Sequence, residues 1–144
     1  MSRKLAREVA FKLIFETFFQ KEEEVEKLEK LLWADEENDK SGITEEDDKY
    51  IKEITSGVVD KKTELDAQIT KYLKEGWTLE RLSKIDVSIL LLSTYEILYR
   101  DDIPYKVSVN EAVEIAKIFS DEASPSFING VLAEIISTKN KDNK

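Results

Sequence analysis

Three cations near the start of the chain are the residues best placed for chemistry. Arg7 follows Lys4 by three residues and Arg3 by four, so all three lie on one side of a helix. Such a cluster suits an anionic partner, because local potential rather than total charge decides what docks at a surface. The alternative is a set of solvated charges on a fraying helix end, and the spacing alone leaves both interpretations open.

Carboxylates between residues 35 and 46 partly match a calcium-binding loop. Asp35, Glu37, Asp39 and Glu46 take the first, third, fifth and twelfth places of an EF-hand. The sixth place, which needs glycine for a sharp turn, holds Lys40. We therefore predict no metal site.

The side chains on which most enzymes depend are missing from the sequence. There is no His and no Cys, which excludes His general bases, thiolate nucleophiles, disulfides and most transition-metal sites. The 4 glycines are scattered, so no Gly-rich phosphate loop exists. A carboxylate-only active site is formally possible, but the acidic residues do not converge by spacing. We predict a binding protein without a cofactor rather than an enzyme.

The negative charge of the chain is concentrated in one region. The formal net charge is -9, and residues 20–50 hold 13 acidic and 5 basic side chains. In the rest of the chain the acidic and basic side chains nearly balance, so the basic start of the chain can keep a positive local potential. No apolar run of the kind found in signal peptides follows the first cations, so we expect a cytoplasmic protein that does not enter a membrane.

The element expected to organise the fold is residues 85–99, which are apolar on nearly every side of a helix. Such a helix is buried, and this one is too short to cross a bilayer. Asp86 is the expected cap of its first turn. Apolar spacing and capping signals predict six further helices, at residues 2–19, 22–33, 44–74, 79–84, 109–119 and one that starts after Ser124.

The prediction is therefore an all-α, seven-helix bundle in a single domain of residues 1–139, with a disordered tail at 140–144. Ser108 and Glu111 form a capping box for the helix at 109–119. Gly57 and Gly130 fall inside predicted helices: Gly57 indicates either close helix packing or a slight bend, and Gly130 indicates the close approach of another segment.

Three stretches of the sequence together resemble one known family. They are LAREVAFKLIF near the start, WTLERLSKIDVSILLLSTYEIL in the middle, and DIPYKVSVNEAVEIAKIF followed by SFINGVL. In this order they resemble the bacterial transcription antitermination factor NusB family over nearly the whole chain. The resemblance implies two packed helical subdomains around the buried central helix.

The resemblance also implies an RNA-binding adaptor. NusB proteins pair with NusE, a small-subunit ribosomal protein, and the pair binds a single-stranded RNA element called boxA. The bound RNA and the other Nus factors then make RNA polymerase read through terminators, notably in ribosomal RNA operons. We expect weak RNA binding by the chain alone and tighter binding with NusE.

The resemblance carries five RNA-contacting positions onto this chain. Arg3, Lys4 and Arg7 match the basic start of the family, where phosphate neutralisation would drive binding. Tyr72 and Lys106 are further candidates for base stacking and phosphate contact. Core packing is the alternative for Tyr72, and an ordinary surface position is the alternative for Lys106.

Three positions match the NusE-binding surface of the family: Phe15, Asp86 and Phe127. Asp86 has helix capping as its alternative and Phe127 has core packing. A protein-only scaffold, or a stand-alone relative of the NusB-like domain of RNA methyltransferases, is the alternative function.

Overall fold

The computed structural model describes residues 2–18 and 44–142, with side chains for 4–18 and 44–139. Within these ranges the chain forms six α-helices, one short 3₁₀ helix and no strand. They are α1 (Ser2–Glu16), α2 (Glu45–Asp60), α3 (Lys62–Thr70), the 3₁₀ helix (Leu79–Arg81), α4 (Lys84–Tyr99), α5 (Tyr105–Phe119) and α6 (Ser124–Asp142). The predicted all-α class is confirmed, whereas the helix predicted at 22–33 and the carboxylates at 35, 37 and 39 lie outside the described residues.

Helix α4 is the centre of the bundle, as its all-round apolar sequence predicts. Every residue from Asp86 to Ile97 is buried, and each of the other five α-helices packs against α4. Helices α1 and α2 pack together, and so do α5 and α6, so the two pairs form the subdomains on either side of α4. None of the helices in the described ranges is long and apolar enough to span a membrane.

The start of α4 is capped differently from the prediction. The N-cap is Ser83, whose hydroxyl accepts a hydrogen bond from the backbone N–H of Asp86 at 3.1 Å. The Asp86 carboxylate instead accepts hydrogen bonds from Ser120, directly after α5, and from Ser124, the first residue of α6.

The long helix predicted at 44–74 is two helices. The helical backbone is interrupted at Lys61, and the second helix ends at Thr70. Gly57 lies inside α2 and does not break it. Its packing role is confirmed, because a Cβ atom there would lie 2.5 Å from the ring of Tyr95. Gly76, with a φ of 87°, takes the left-handed conformation that glycine tolerates and turns the chain toward α4.

Helices α5 and α6 extend beyond their predicted limits. Helix α5 begins at Tyr105, directly after Pro104, so Ser108 is inside the helix and the predicted Ser108–Glu111 capping box is wrong. Helix α6 continues to Asp142, so residues 140–142 are helical rather than part of a disordered tail. The packing role predicted for Gly130 is also wrong, because a Cβ atom there would meet nothing within 4 Å.

Candidate nucleic-acid interface

The side chain of Arg7 lies inside the bundle. It is 4% exposed, and its Nε donates to Oε2 of Glu96 at 2.9 Å while Nη2 donates to Oε1 at 3.3 Å. Burial by itself lowers the pKa of Arg7, but the hydrogen bond and charge of Glu96 outweigh it, so the pKa is raised. Arg7 therefore stays charged and neutralised in place. The guanidinium that was predicted to contact RNA is thus buried and paired with Glu96.

Glu96 joins four helices at one point. It is fully buried, and besides Arg7 of α1 it accepts hydrogen bonds from the Tyr50 hydroxyl of α2 and, at 2.8 Å, from Ser108 of α5. Every donor to this carboxylate comes from another helix, so the network satisfies a charge that would otherwise be costly in the core. It also brings the opening turns of α1 and α5 to one place.

Two predicted cations are exposed on those opening turns. Lys4 lies one turn before Arg7 on α1, and Lys106 lies two residues before Ser108 on α5. Because Arg7 and Ser108 meet at Glu96, Lys4 and Lys106 belong to the same end of the bundle. The backbone of Arg3 is in α1, and its side chain lies outside the described ones.

A groove brings together three other predicted residues, Tyr72, Asp86 and Phe127. Its volume is about 610 Å³, and its wall includes the exposed Trp77, with the guanidinium of Arg81 5.4 Å from the Trp77 ring. Trp77 and Arg81 were not predicted as site residues, although the sequence carries one signal for them, a large aromatic residue directly after Gly76. We name this the Trp77 groove.

The predicted residues within the Trp77 groove are partly committed to the fold. Asp86 is 8% exposed and accepts hydrogen bonds from Ser120 at 2.7 Å and Ser124 at 2.9 Å. The half-buried Tyr72 donates its hydroxyl proton to Thr138 at 2.6 Å. Phe127 is half-buried as well, so part of its ring remains exposed.

Phe15 is separate from this groove. It is half-buried on α1, with its ring centroid 6.5 Å from that of Phe11. The predicted partner-binding residues therefore divide between α1 and the Trp77 groove.

A second groove runs between α5 and α6 and has a volume of about 520 Å³. We name it the α5–α6 groove. Its wall holds Lys106 and two amides that were not predicted as site residues, Asn110 and Asn129. In the described ranges, 2–18 and 44–142, no three acidic side chains cluster in a way that could hold a metal ion.

Comparison with known proteins assigns the chain to a family. Residues 4–137 match the model of the NusB family. The chain belongs to the NusB family. A protein of Acetivibrio thermocellus named transcription antitermination protein NusB is 43% identical over 139 residues, which span 96% of this chain and 91% of the relative. The resemblance found in the sequence is confirmed, and relatives of this name support the prediction that the chain is not an enzyme.

Solved NusB structures share the fold. NusB of T. maritima aligns with a TM-score of 0.83 and 31% identity, over 100% of this chain and 99% of the other. A crystal structure of the antitermination factors NusB and NusE in complex with double-stranded RNA aligns with a TM-score of 0.79 and 23% identity, over 95% and 97% of the two chains. The second likeness concerns the fold alone.

Proposed function

We propose that this protein is a cytoplasmic transcription antitermination factor that binds RNA together with NusE. The observation that carries the proposal is the match to an antitermination protein of the NusB family along nearly the whole chain. In the proposed role, the pair binds single-stranded boxA RNA, and the assembly acts on RNA polymerase through the other Nus factors. The protein contributes binding surfaces and no chemical step.

The proposed RNA surface is the end of the bundle where α1 and α5 begin. Lys4 and Lys106 are exposed there, and each can neutralise a phosphate and release counterions. Arg3 is retained in the proposal by its position in α1. Arg7 supports the surface indirectly, since its bond to Glu96 holds α1 against α4 and α5.

The proposed NusE surface is the Trp77 groove, with Phe15 of α1 as a further contact. Trp77 is 48% exposed and Phe127 is half-buried, so both have aromatic area left to bury against a partner. Asp86 contributes by holding the opening turn of α6, which carries Phe127, against α4. Its burial favours this positioning role over direct contact.

An electrophoretic mobility shift with and without NusE tests the RNA-binding function. We expect a weak shift of single-stranded boxA RNA with the chain alone and a stronger shift at the same concentration when NusE is added. A duplex of the same sequence and an unrelated single strand of equal length are the matched controls. Absence of any shift with NusE present would contradict the proposal and favour a protein-only scaffold.

Calorimetric titration of the chain with NusE, without RNA, tests the partner surface. Phe127→Ala should weaken NusE binding by more than about 1 kcal/mol, as loss of an aromatic anchor does. Ile118→Ala is the control, because Ile118 is 60% exposed on α5 and does not line the Trp77 groove. Equal binding by the two variants would remove the groove from the NusE surface.

A further inference from the structure

The α5–α6 groove has the chemical character of a nucleobase site. Its apolar lining comes from Val109 and Val113 of α5 and Ile136 of α6. Polar side chains complete the wall. They are Lys106, Asn110, Ser126 and Asn129. A nucleobase has the matching character, with apolar faces and a polar edge.

The electrostatics of the α5–α6 groove differ from those of the rest of the chain. None of its nine lining residues is acidic, although the chain has 31 Asp and Glu residues. The Trp77 groove, in contrast, contains Asp86 and Asp121. Lys106 supplies a positive charge, and Lys139 places its ammonium 5.2 Å from the ring of Tyr105, next to Asp101 at 3.6 Å. Pro125 and Ser126 belong to the first turn of α6, whose dipole is positive at that end.

Asn110 and Asn129 give this groove the means to distinguish bases. Both are exposed, and they come from the two facing helices. Each amide has a carbonyl acceptor and an N–H donor group, the combination that pairs with the edge of a base. Sequence-specific RNA recognition uses this kind of contact on unstacked bases of single strands.

We propose that the α5–α6 groove is a base-reading subsite in which Asn110 and Asn129 select among the nucleobases of the single strand whose phosphate contacts Lys106. This inference rests on the proposed RNA-binding function and adds to it the residues that determine sequence preference. The lysine supplies affinity that is independent of sequence, and the two asparagines supply discrimination.

The test measures binding of short single-stranded oligomers of uridine, adenosine and cytidine by fluorescence anisotropy, with the full chain and NusE present. The wild-type pair is expected to bind the three oligomers unequally. The double variant Asn110→Ala, Asn129→Ala should reduce the ratio between the best and worst oligomer by about tenfold or more. The salt dependence of RNA binding should be the same for the asparagine double variant as for the wild type. Lys106→Ala should instead weaken binding of all three oligomers and lower the slope of log affinity against log salt by about 0.7.

Two controls separate the possible explanations. Gln68→Ala removes an amide from α3, outside the groove, and should leave both ratio and slope unchanged. Titration of the asparagine double variant with NusE alone should give the wild-type affinity. A loss of NusE binding would assign the groove to the protein partner and overturn the inference. Because both asparagines are exposed, circular dichroism is expected to give the wild-type melting temperature for the double variant.

The outcomes also distinguish this inference from the function on which it rests. If boxA RNA and all three oligomers fail to bind the wild-type pair, the proposed function itself fails. If RNA binds but the wild type does not discriminate, or the double variant keeps the wild-type ratio, the base-reading inference alone is overturned.

Discussion

Arg7 and Glu96, 89 residues apart in the chain, form a buried ion pair with 2.9 Å between Nε and Oε2. The pair fastens α1 to α4, and Ser108 adds α5 through the same carboxylate. In the proposed function the phosphate-binding lysines flank this pair on α1 and α5. The pair therefore sets the geometry of a surface that Arg7 does not itself form.

Removing one partner of this pair should destabilise the protein strongly. Glu96→Ala leaves the Arg7 guanidinium buried without a counter-charge, and we expect the free energy of unfolding to fall by about 3–5 kcal/mol. The double variant Arg7→Met, Glu96→Met should recover only part of this loss, because it leaves no uncompensated charge but still removes the acceptor of the Tyr50 and Ser108 hydroxyls. Urea unfolding followed by circular dichroism measures both. Strictly additive effects of the two single Met substitutions would show that the pair is not coupled.

Substitution by alanine should change the stability of the protein in opposite directions at two helical glycines. At Gly57 the added Cβ would lie 2.5 Å from the Tyr95 ring, so Gly57→Ala should cost about 1–3 kcal/mol despite better helix propensity. At Gly130 nothing lies within 4 Å, so Gly130→Ala should stabilise the protein by up to about 1 kcal/mol. Thermal unfolding of the two variants checks both signs. Stabilisation by both substitutions would mean that Tyr95 gives way without cost.

The hydroxyl of Tyr99 should lose its proton only at unusually high pH. The hydrogen bond from its hydroxyl to Glu64 is the main reason that the pKa of Tyr99 is raised to about 12. Because the folded-state pKa lies above the unfolded value, any stability from this bond is present below about pH 10 and is lost as pH rises toward 12.

Ultraviolet titration of tyrosinate formation measures this shift. Tyr99→Phe should remove one group that titrates near pH 12, and Glu64→Gln should move its midpoint down toward 10. Tyr105→Phe is a control on another helix and should leave the late transition in place. A late transition unaffected by Tyr99→Phe would refute the assignment.

Local pattern was sufficient for some features of this fold and insufficient for others. Helix α4 was predictable because its apolar residues surround the helix, which only burial explains. The break at Lys61 was not predictable, because the stripe of apolar residues continues from α2 into α3. The burial of Arg7 was also not predictable. Its sequence neighbours are those of an exposed cationic turn, and Glu96 is brought to it only by tertiary folding.

The same reasoning explains why the candidate site was only partly predicted. Lys4 was found from the spacing of the first cations and Lys106 through its match to the family, and the structure leaves both exposed. Asn110 and Asn129 lie on different helices, so their common groove exists only after α5 and α6 pack. Single polar residues on amphipathic helices are usually solvated, and no sequence pattern distinguishes these two from that background.

The salt dependence of RNA binding should separate the exposed cations from the buried one. Lys4→Ala and Lys106→Ala should each lower the slope of log affinity against log salt by about 0.7, since each removes one phosphate contact to a single strand. Arg7→Met should weaken binding through loss of positioning but leave the slope unchanged, because Glu96 already neutralises Arg7. Lys117→Ala is the matched control, since Lys117 is exposed in the last turn of α5 and pairs with Glu114 at 3.2 Å. A slope that falls for Arg7→Met and not for the two lysines would place the RNA contact at Arg7, and would require α1 to open when RNA binds.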